Sequence, residues 1–210
     1  MGIIFDDFRG AASVPSNSGA NILNLQKNDI LDLTKKNPGV KKVNLGAGWD
    51  VAQTGNTDFD LDIGAYLLNT NGKITGAQDV VYFNNKSIGD FILLNHDDRT
   101  GGSSENGDDE VISLDLSKVP TTVSRIVFTI TIYDAINRQQ SFGMVNNSYV
   151  RLIDVEHGEK ELCRYQLKED FSTETAVIVA ELVRDGSEWQ FHAIGEGKRA
   201  DFNGIAGLYM

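Results

Sequence analysis

The 210-residue chain has one cysteine, Cys163, which excludes an intrachain disulfide and any cysteine-built zinc cluster. One thiol is also too few for dithiol reduction chemistry, and a buried, inert position on a strand is expected for it. Nowhere do about 18 apolar residues run together, so no stretch has the length of a membrane-spanning helix. The first ten residues, MGIIFDDFRG, carry acids where a secretion signal carries bases, and their apolar run is short. A cytoplasmic location is therefore expected. Basic residues are in deficit: 19 Lys and Arg against 30 Asp and Glu give a formal net charge of −11. That excludes nucleic acid as the main partner, because phosphate binding needs a basic surface. No Gly-x-Ser-x-Gly elbow occurs and Cys163 has no histidine beside it in sequence, so nucleophilic catalysis has no candidate. Helical periodicity is scarce as well.

What is present is the composition of a globular chain, 40% hydrophobic and 23% charged, long enough for one domain with a sizeable core. Residues 1–24 read as a flexible arm, since Ala11 to Gly19 is small, polar and broken by Pro15, and residues 25–210 read as the domain. Strands are predicted at Ile30–Leu33, Val43–Trp49, Asp58–Leu68, Asp79–Phe83, Val111–Leu116, Arg125–Tyr133, Tyr149–Val155, Glu161–Leu167, Thr175–Arg184 and Trp189–Ile194. The clearest is Arg125–Tyr133, where Ile126, Phe128, Ile130 and Ile132 alternate with Val127, Thr129 and Thr131. Asn71-Gly72 and Asp185-Gly186 are hairpin signals. Asn95 to Asp109 reads as a long polar loop, Asp134–Gln140 as a short helix capped by Asp134, and Ala200–Tyr209 as a closing helix. Short strands at frequent turns predict a mainly β fold, an antiparallel two-sheet β-sandwich with one or two short helices. Trp49 and Trp189 are expected in its core, His157 and His192 at its surface or edges, and His96 in the loop.

Two acidic stretches stand out. In Asp58-Phe-Asp-Leu-Asp-Ile63, read as a strand, Asp58, Asp60 and Asp62 share one face while Phe59, Leu61 and Ile63 share the other. Neighbouring carboxylates on that face stand about 7 Å apart, twice the rise per residue of a strand. Charges that close repel unless solvent, salt or a cation offsets them. The second stretch runs through His96-Asp-Asp-Arg99 and Asn106-Gly-Asp-Asp-Glu110. The residues alone allow a solvated acidic face or a cation site, and an oxygen-only donor set of flexible geometry suits calcium better than magnesium. An EF-hand is rejected, because its sixth and twelfth positions hold Ile63 and Asn69 instead of Gly and Glu. Paired carboxylates could also serve glycoside hydrolysis, but nothing singles out two of them.

Several motifs recur in order along the chain: Leu45-Gly-Ala-Gly-Trp-Asp50, Asp58-Phe-Asp-Leu-Asp62, Ala65-Tyr-Leu-Leu68, Tyr82-Phe-Asn-Asn85, Arg99-Thr-Gly101, Gly107-Asp-Asp-Glu110, Phe128 to Asp134, Arg138-Gln-Gln-Ser-Phe-Gly143, Ser172 to Thr175 and Gly186-Ser-Glu-Trp189. In these the chain resembles the TerD family of bacterial tellurium-resistance and general stress proteins, over about three quarters of its length. The resemblance implies a β-sandwich with two calcium ions, no enzymatic activity, and a scaffold or sensor role in stress. By motif, the implied metal ligands are Asp58, Asp60, Asp62, Asp97, Asp98, Asp108, Asp109 and Glu110. The implied partners are other proteins, among them stress-operon proteins at or near the membrane, and not nucleic acid. The loop Gly101-Gly-Ser-Ser-Glu-Asn106 is poorer in acids than the family pattern, and the long N-terminus departs from it. That arm motivates an alternative: homo-oligomerisation through residues 1–24, as a subunit of a filament or phage-associated assembly.

Overall fold

The period-two alternation of the sequence becomes two stacked sheets in the computed structural model, which describes residues 22–51, 59–97, 107–167 and 171–210. The strands are β1 (Leu23–Leu25), β2 (Ile30–Leu31), β3 (Lys42–Val51), β4 (Leu61–Leu68), β5 (Val80–Val81), β6 (Ser87–Ile88), β7 (Ile92–Asp97), β8 (Glu110–Asp115), β9 (Arg125–Ile132), β10 (Val145–Asp154), β11 (Lys160–Gln166), β12 (Ala176–Asp185) and β13 (Glu188–Lys198). Three short helices accompany them: α1 (Leu33–Lys36), α2 (Ala135–Arg138) and α3 (Phe202–Leu208). The first sheet has the order β1-β11-β10-β3-β8-β7-β6 and the second β2-β13-β12-β9-β4-β5. The long central pairings are antiparallel, as expected. Only the short β1 joins its neighbour β11 in parallel among the strand pairs described.

The main core lies between the sheets and takes every second residue of the central strands. Leu45, Ala47, Ile63, Phe128, Ile130, Leu152 and Leu182 belong to it, with both Trp49 and Trp189. A strand covered on one side only was expected for β4, yet all eight of its residues are buried. The helix α3 is the reason. Its start is capped by Asp201, whose Oδ1 accepts from the Gly204 N–H at 2.8 Å. Phe202 then stacks on Tyr66 at 5.2 Å, and Tyr66, Leu68, Val127, Ile178 and Ile205 form a second, smaller core on the far side of the sheet.

Other expectations change as well. The strand predicted at Ile30–Leu33 stops at Leu31, because Leu33 opens α1 and buries its side chain in the core. The polar loop does not start at Asn95: β7 continues to Asp97 in register with β8, and His96 lies in it opposite Val111. Asp134 precedes α2 with a left-handed φ of 52°, and this is not the extended geometry of a capping residue. Its carboxylate accepts from the Asn137 side chain instead. His192 is half-buried within the second sheet, 3.2 Å from Glu181, whereas His157 is exposed. Most of the predicted arm lies outside the described residues, and β1 straddles its expected boundary. Among the described residues no helix is long and apolar enough to cross a membrane.

Cys163 sits on β11 with no exposed surface, and burial pushes its thiol well above the ordinary range. A disulfide reagent such as Ellman's is therefore expected to leave native protein unmodified and to titrate the single thiol only after unfolding in urea. Rapid reaction of folded protein would contradict the buried placement.

Candidate metal centre

Strand direction brings both acidic stretches to one end of the sandwich. β3 and β7 end there, at Val51 and Asp97, and β8 begins there, at Glu110, because β8 is antiparallel to both. β4 begins at the same end in the facing sheet, as a contact across the sheets shows: the Ile63 N–H donates to Glu110 Oε2 at 2.5 Å.

Two carboxylates at this end complete strands that have run out of neighbours. β8 pairs with β3 only as far as Glu110 opposite Ala47, and the Asp109 N–H still donates to the Ala47 carbonyl at 2.8 Å. One step further the Trp49 N–H has no strand of the described residues opposite it on that side. Asp109 Oδ2 takes that place, at 2.8 Å. In the same way β5 reaches only Ala65 and Tyr66 on the edge of β4, and Glu110 supplies the acceptor for Ile63. Asp109 and Glu110 are 2% and 1% exposed, so both hydrogen bonds are made away from bulk water. A hydrogen bond to a charged group is worth about 1.5–3 kcal/mol, and a buried donor left unpaired costs about as much.

Asp108 points the other way, onto the outer face of the first sheet. Its Oδ1 accepts from Arg151 Nε at 2.8 Å and its Oδ2 from Arg151 Nη2 at 2.9 Å. Arg151 Nη1 in turn donates to Glu161 at 3.0 Å, and Glu161 accepts from Arg164 Nε at 2.8 Å. The Arg164 guanidinium lies 4.2 Å from the Tyr149 ring centroid, and the Tyr149 hydroxyl donates to the Gly107 carbonyl and contacts Asp108 at 3.0 Å. Burial, then the charge of Asp108, push the Tyr149 hydroxyl up to about 12. Burial opposes the charge on Arg151, but its two carboxylate partners outweigh that and hold it ionised. The glycines of the Leu45-Gly-Ala-Gly-Trp-Asp50 motif make this network possible. A Cβ at Gly46 would overlap the Asp108 carboxylate, and one at Gly48 would overlap the Tyr149 ring. Sequence reading missed Tyr149, Arg151, Glu161 and Arg164. Alternation places Tyr149 and Arg151 on one face of β10, but which carboxylates meet them depends on register.

Asp60 and Asp62 line a cleft on the outer side of the second sheet together with Lys86 and Arg138. Asp62 is almost fully buried, and the Asp60 carbonyl accepts from the Tyr133 N–H at 2.8 Å. Asp97 closes β7 in register with Glu110. Asp58 and Asp98 lie outside the described residues. Among the described residues no three His, Cys, Asp or Glu side chains gather closely enough to hold a metal ion. The acids thus share one end of the fold but fall into separate groups: Asp60 with Asp62, Asp108 on its arginine, and Asp109 and Glu110 on backbone N–H groups.

Fold and site together define a β-sandwich whose acidic segments meet at one end. The TerD domain family model matches residues 22–209 of the chain. General stress protein 16U of Bacillus subtilis (strain 168) is 44% identical over 188 residues, which is 89% of this chain and 96% of that protein. Tellurium resistance protein TerD of Serratia marcescens is 39% identical over 187 residues, again 89% and 96%. A crystal structure of a homologue of telluride resistance protein (TerD) from Streptomyces coelicolor A3(2) superposes with a TM-score of 0.66 over 80% of this chain and 96% of that one; at 24% identity the likeness concerns the fold. The chain belongs to the TerD family of tellurium resistance and stress response proteins. The names of these relatives are those of resistance or stress proteins, not of enzymes.

Two consequences are measurable. Asp109→Ala leaves the buried Trp49 N–H without an acceptor and is expected to cost about 2 kcal/mol in urea unfolding, whereas Asp109→Asn, which keeps an oxygen, costs less. The second concerns pH. Burial would raise the Glu161 carboxyl, but Arg164 and Arg151 outweigh it and hold it below its ordinary 4.5. A depressed carboxylate stabilises the fold above its unfolded pKa, and that stability is lost as pH falls through the folded value. Glu161→Gln should therefore melt lower than the parent at neutral pH, with the gap closing below about pH 4.

Proposed function

We propose that this protein is a calcium-binding stress-response protein, serving tellurite resistance or a related stress as a scaffold or sensor through contacts with other proteins and not by catalysis. One observation supports it most: the nearly buried carboxylates of Asp109 and Glu110 hold the backbone of β3 and β4 where residues 52–58 and 98–106 connect the strands. Those connections carry Asp58 and Asp98, and Asp97 and Asp60 flank them. The donor chemistry is oxygen only, carboxylate and carbonyl, which fits a hard cation taking six to eight oxygens.

Asp58, Asp60, Asp62, Asp97, Asp98, Asp109 and Glu110 would hold the metal, two ions in all. Asp108 would fix the returning loop through Arg151 rather than serve as a free ligand. Bound calcium would offset the repulsion among the acids and tie the loop end together. The residues of the protein do the rest: Asp109 and Glu110 fix the strand ends, and the rigid end presents a defined surface to partner proteins, among them stress-operon proteins at or near the membrane. Of the N-terminal arm, the described part is engaged within its own chain as β1.

The test is a calorimetric calcium titration of chelator-stripped protein beside Asp60→Ala and Asp109→Asn. Saturable binding weakened by the substitutions is expected, with a rise in melting temperature equivalent to about 2.7 kcal/mol when free calcium exceeds Kd a hundredfold. Absence of both heat and melting shift would leave the acids as a solvated face and overturn the metal reading.

A further inference from the structure

We infer that the cleft between α2 and the start of α3 docks a protein segment that presents arginine or lysine beside an apolar side chain. The cleft measures about 440 Å³ and lies on the outer side of the second sheet. Phe83, Tyr133 and Phe202 line it as aromatic walls, with Ile136, Asp134 and Asp201. Ile136 is 81% exposed and Tyr133 46%, so large apolar surface is left open to solvent at one place.

The charge of the cleft determines what covers that surface. Asp134 uses Oδ1 to accept from the Asn137 amide at 2.6 Å, and Asp201 uses Oδ1 as the cap of α3. Neither is paired with a cation among the described residues. None of the described residues lining the cleft is basic. The chain itself shows the matching chemistry next door, where the Arg138 guanidinium lies over the Tyr133 ring at 5.3 Å from the centroid. The walls are also pre-positioned: Phe202 stacks between Tyr66 at 5.2 Å and Tyr82 at 4.7 Å, and Phe83 meets Tyr133 edge-on at 5.9 Å. Rigid rings lose little entropy on binding. A cationic head between the Asp134 and Asp201 carboxylates, with an apolar neighbour on the exposed surfaces of Ile136 and Tyr133, complements the cleft. The net charge of −11 steers such a partner toward the molecule. The inference rests on the proposed function only in taking the protein to work through protein contacts, and it does not depend on calcium.

The test is fluorescence anisotropy with a short labelled peptide of alternating arginine and leucine, against a counterpart with glutamate for arginine. Asp134→Asn combined with Asp201→Asn removes the charge while keeping the capping oxygen and tolerating the left-handed backbone. Saturable binding of the arginine peptide alone is expected, weakened roughly tenfold by the double variant and by Tyr133→Ala. The double variant should keep the parent's melting temperature and its calcium heat, which separates loss of docking from failure of the metal reading. Asp185→Asn with Glu159→Gln, exposed acids outside the cleft, should change nothing. No saturable binding, equal weakening by those control substitutions, or binding of spermine without the peptide would each overturn the proposal.

Discussion

A strand that outruns its neighbour leaves backbone N–H groups with no acceptor, and this constraint governs the acidic end of the molecule. β3 continues past the start of β8, and β4 begins before β5 can reach it. Burying those N–H groups unpaired would be costly, and water has little access at so closed a position. Asp109 and Glu110 resolve it by acting as side-chain substitutes for missing strands. Two adjacent residues serve two different sheets, since β8 carries them into the space between β3 and β4. The sandwich is thereby held together at its loop end by charge-assisted hydrogen bonds as well as by apolar contact.

The adjacent residue, Asp108, shows how the same acidic run is divided between the outer face and the interior. Pointing outward, it becomes the anchor of a line of alternating charge, Asp108, Arg151, Glu161 and Arg164, laid across β3, β10 and β11. Such a network needs a flat bed, and Gly46 and Gly48 provide it by leaving the outer face of β3 bare. The glycines, the arginine and the acid make sense only as a set. Asp108 is pinned outward and Asp109 and Glu110 inward, so the chain enters β8 at a fixed place.

The opposite face of the second sheet follows another logic. There α3 lays Phe202 and Ile205 on β4 and β9, converting a face that would otherwise meet water into a second core. The aromatic row that results runs from Tyr209 through Tyr66, Phe202, Tyr82 and Phe83 to the half-exposed Tyr133. It ends at the cleft lined by Asp134 and Asp201. The second core and the cleft are thus walled by one continuous set of rings.

Much of this was legible in the residues. Alternation within Arg125–Tyr133 and its counterparts determined the strands, their scarcity of helical partners determined a two-sheet sandwich, and Cys163 on an apolar strand determined a buried thiol, because each depends only on local periodicity and composition. The motifs determined the family. Only the tertiary structure decided that Ile30–Leu33 would split into strand and helix, that β7 would claim Asn95 to Asp97, and that the outer face of β4 would be buried beneath α3. It alone decided the separate fates of Asp108, Asp109 and Glu110, identical in kind and adjacent in sequence. The physical reason is register: a carboxylate's role is set by which backbone or guanidinium donor the neighbouring strand places beside it, and that strand lies tens of residues away in the chain.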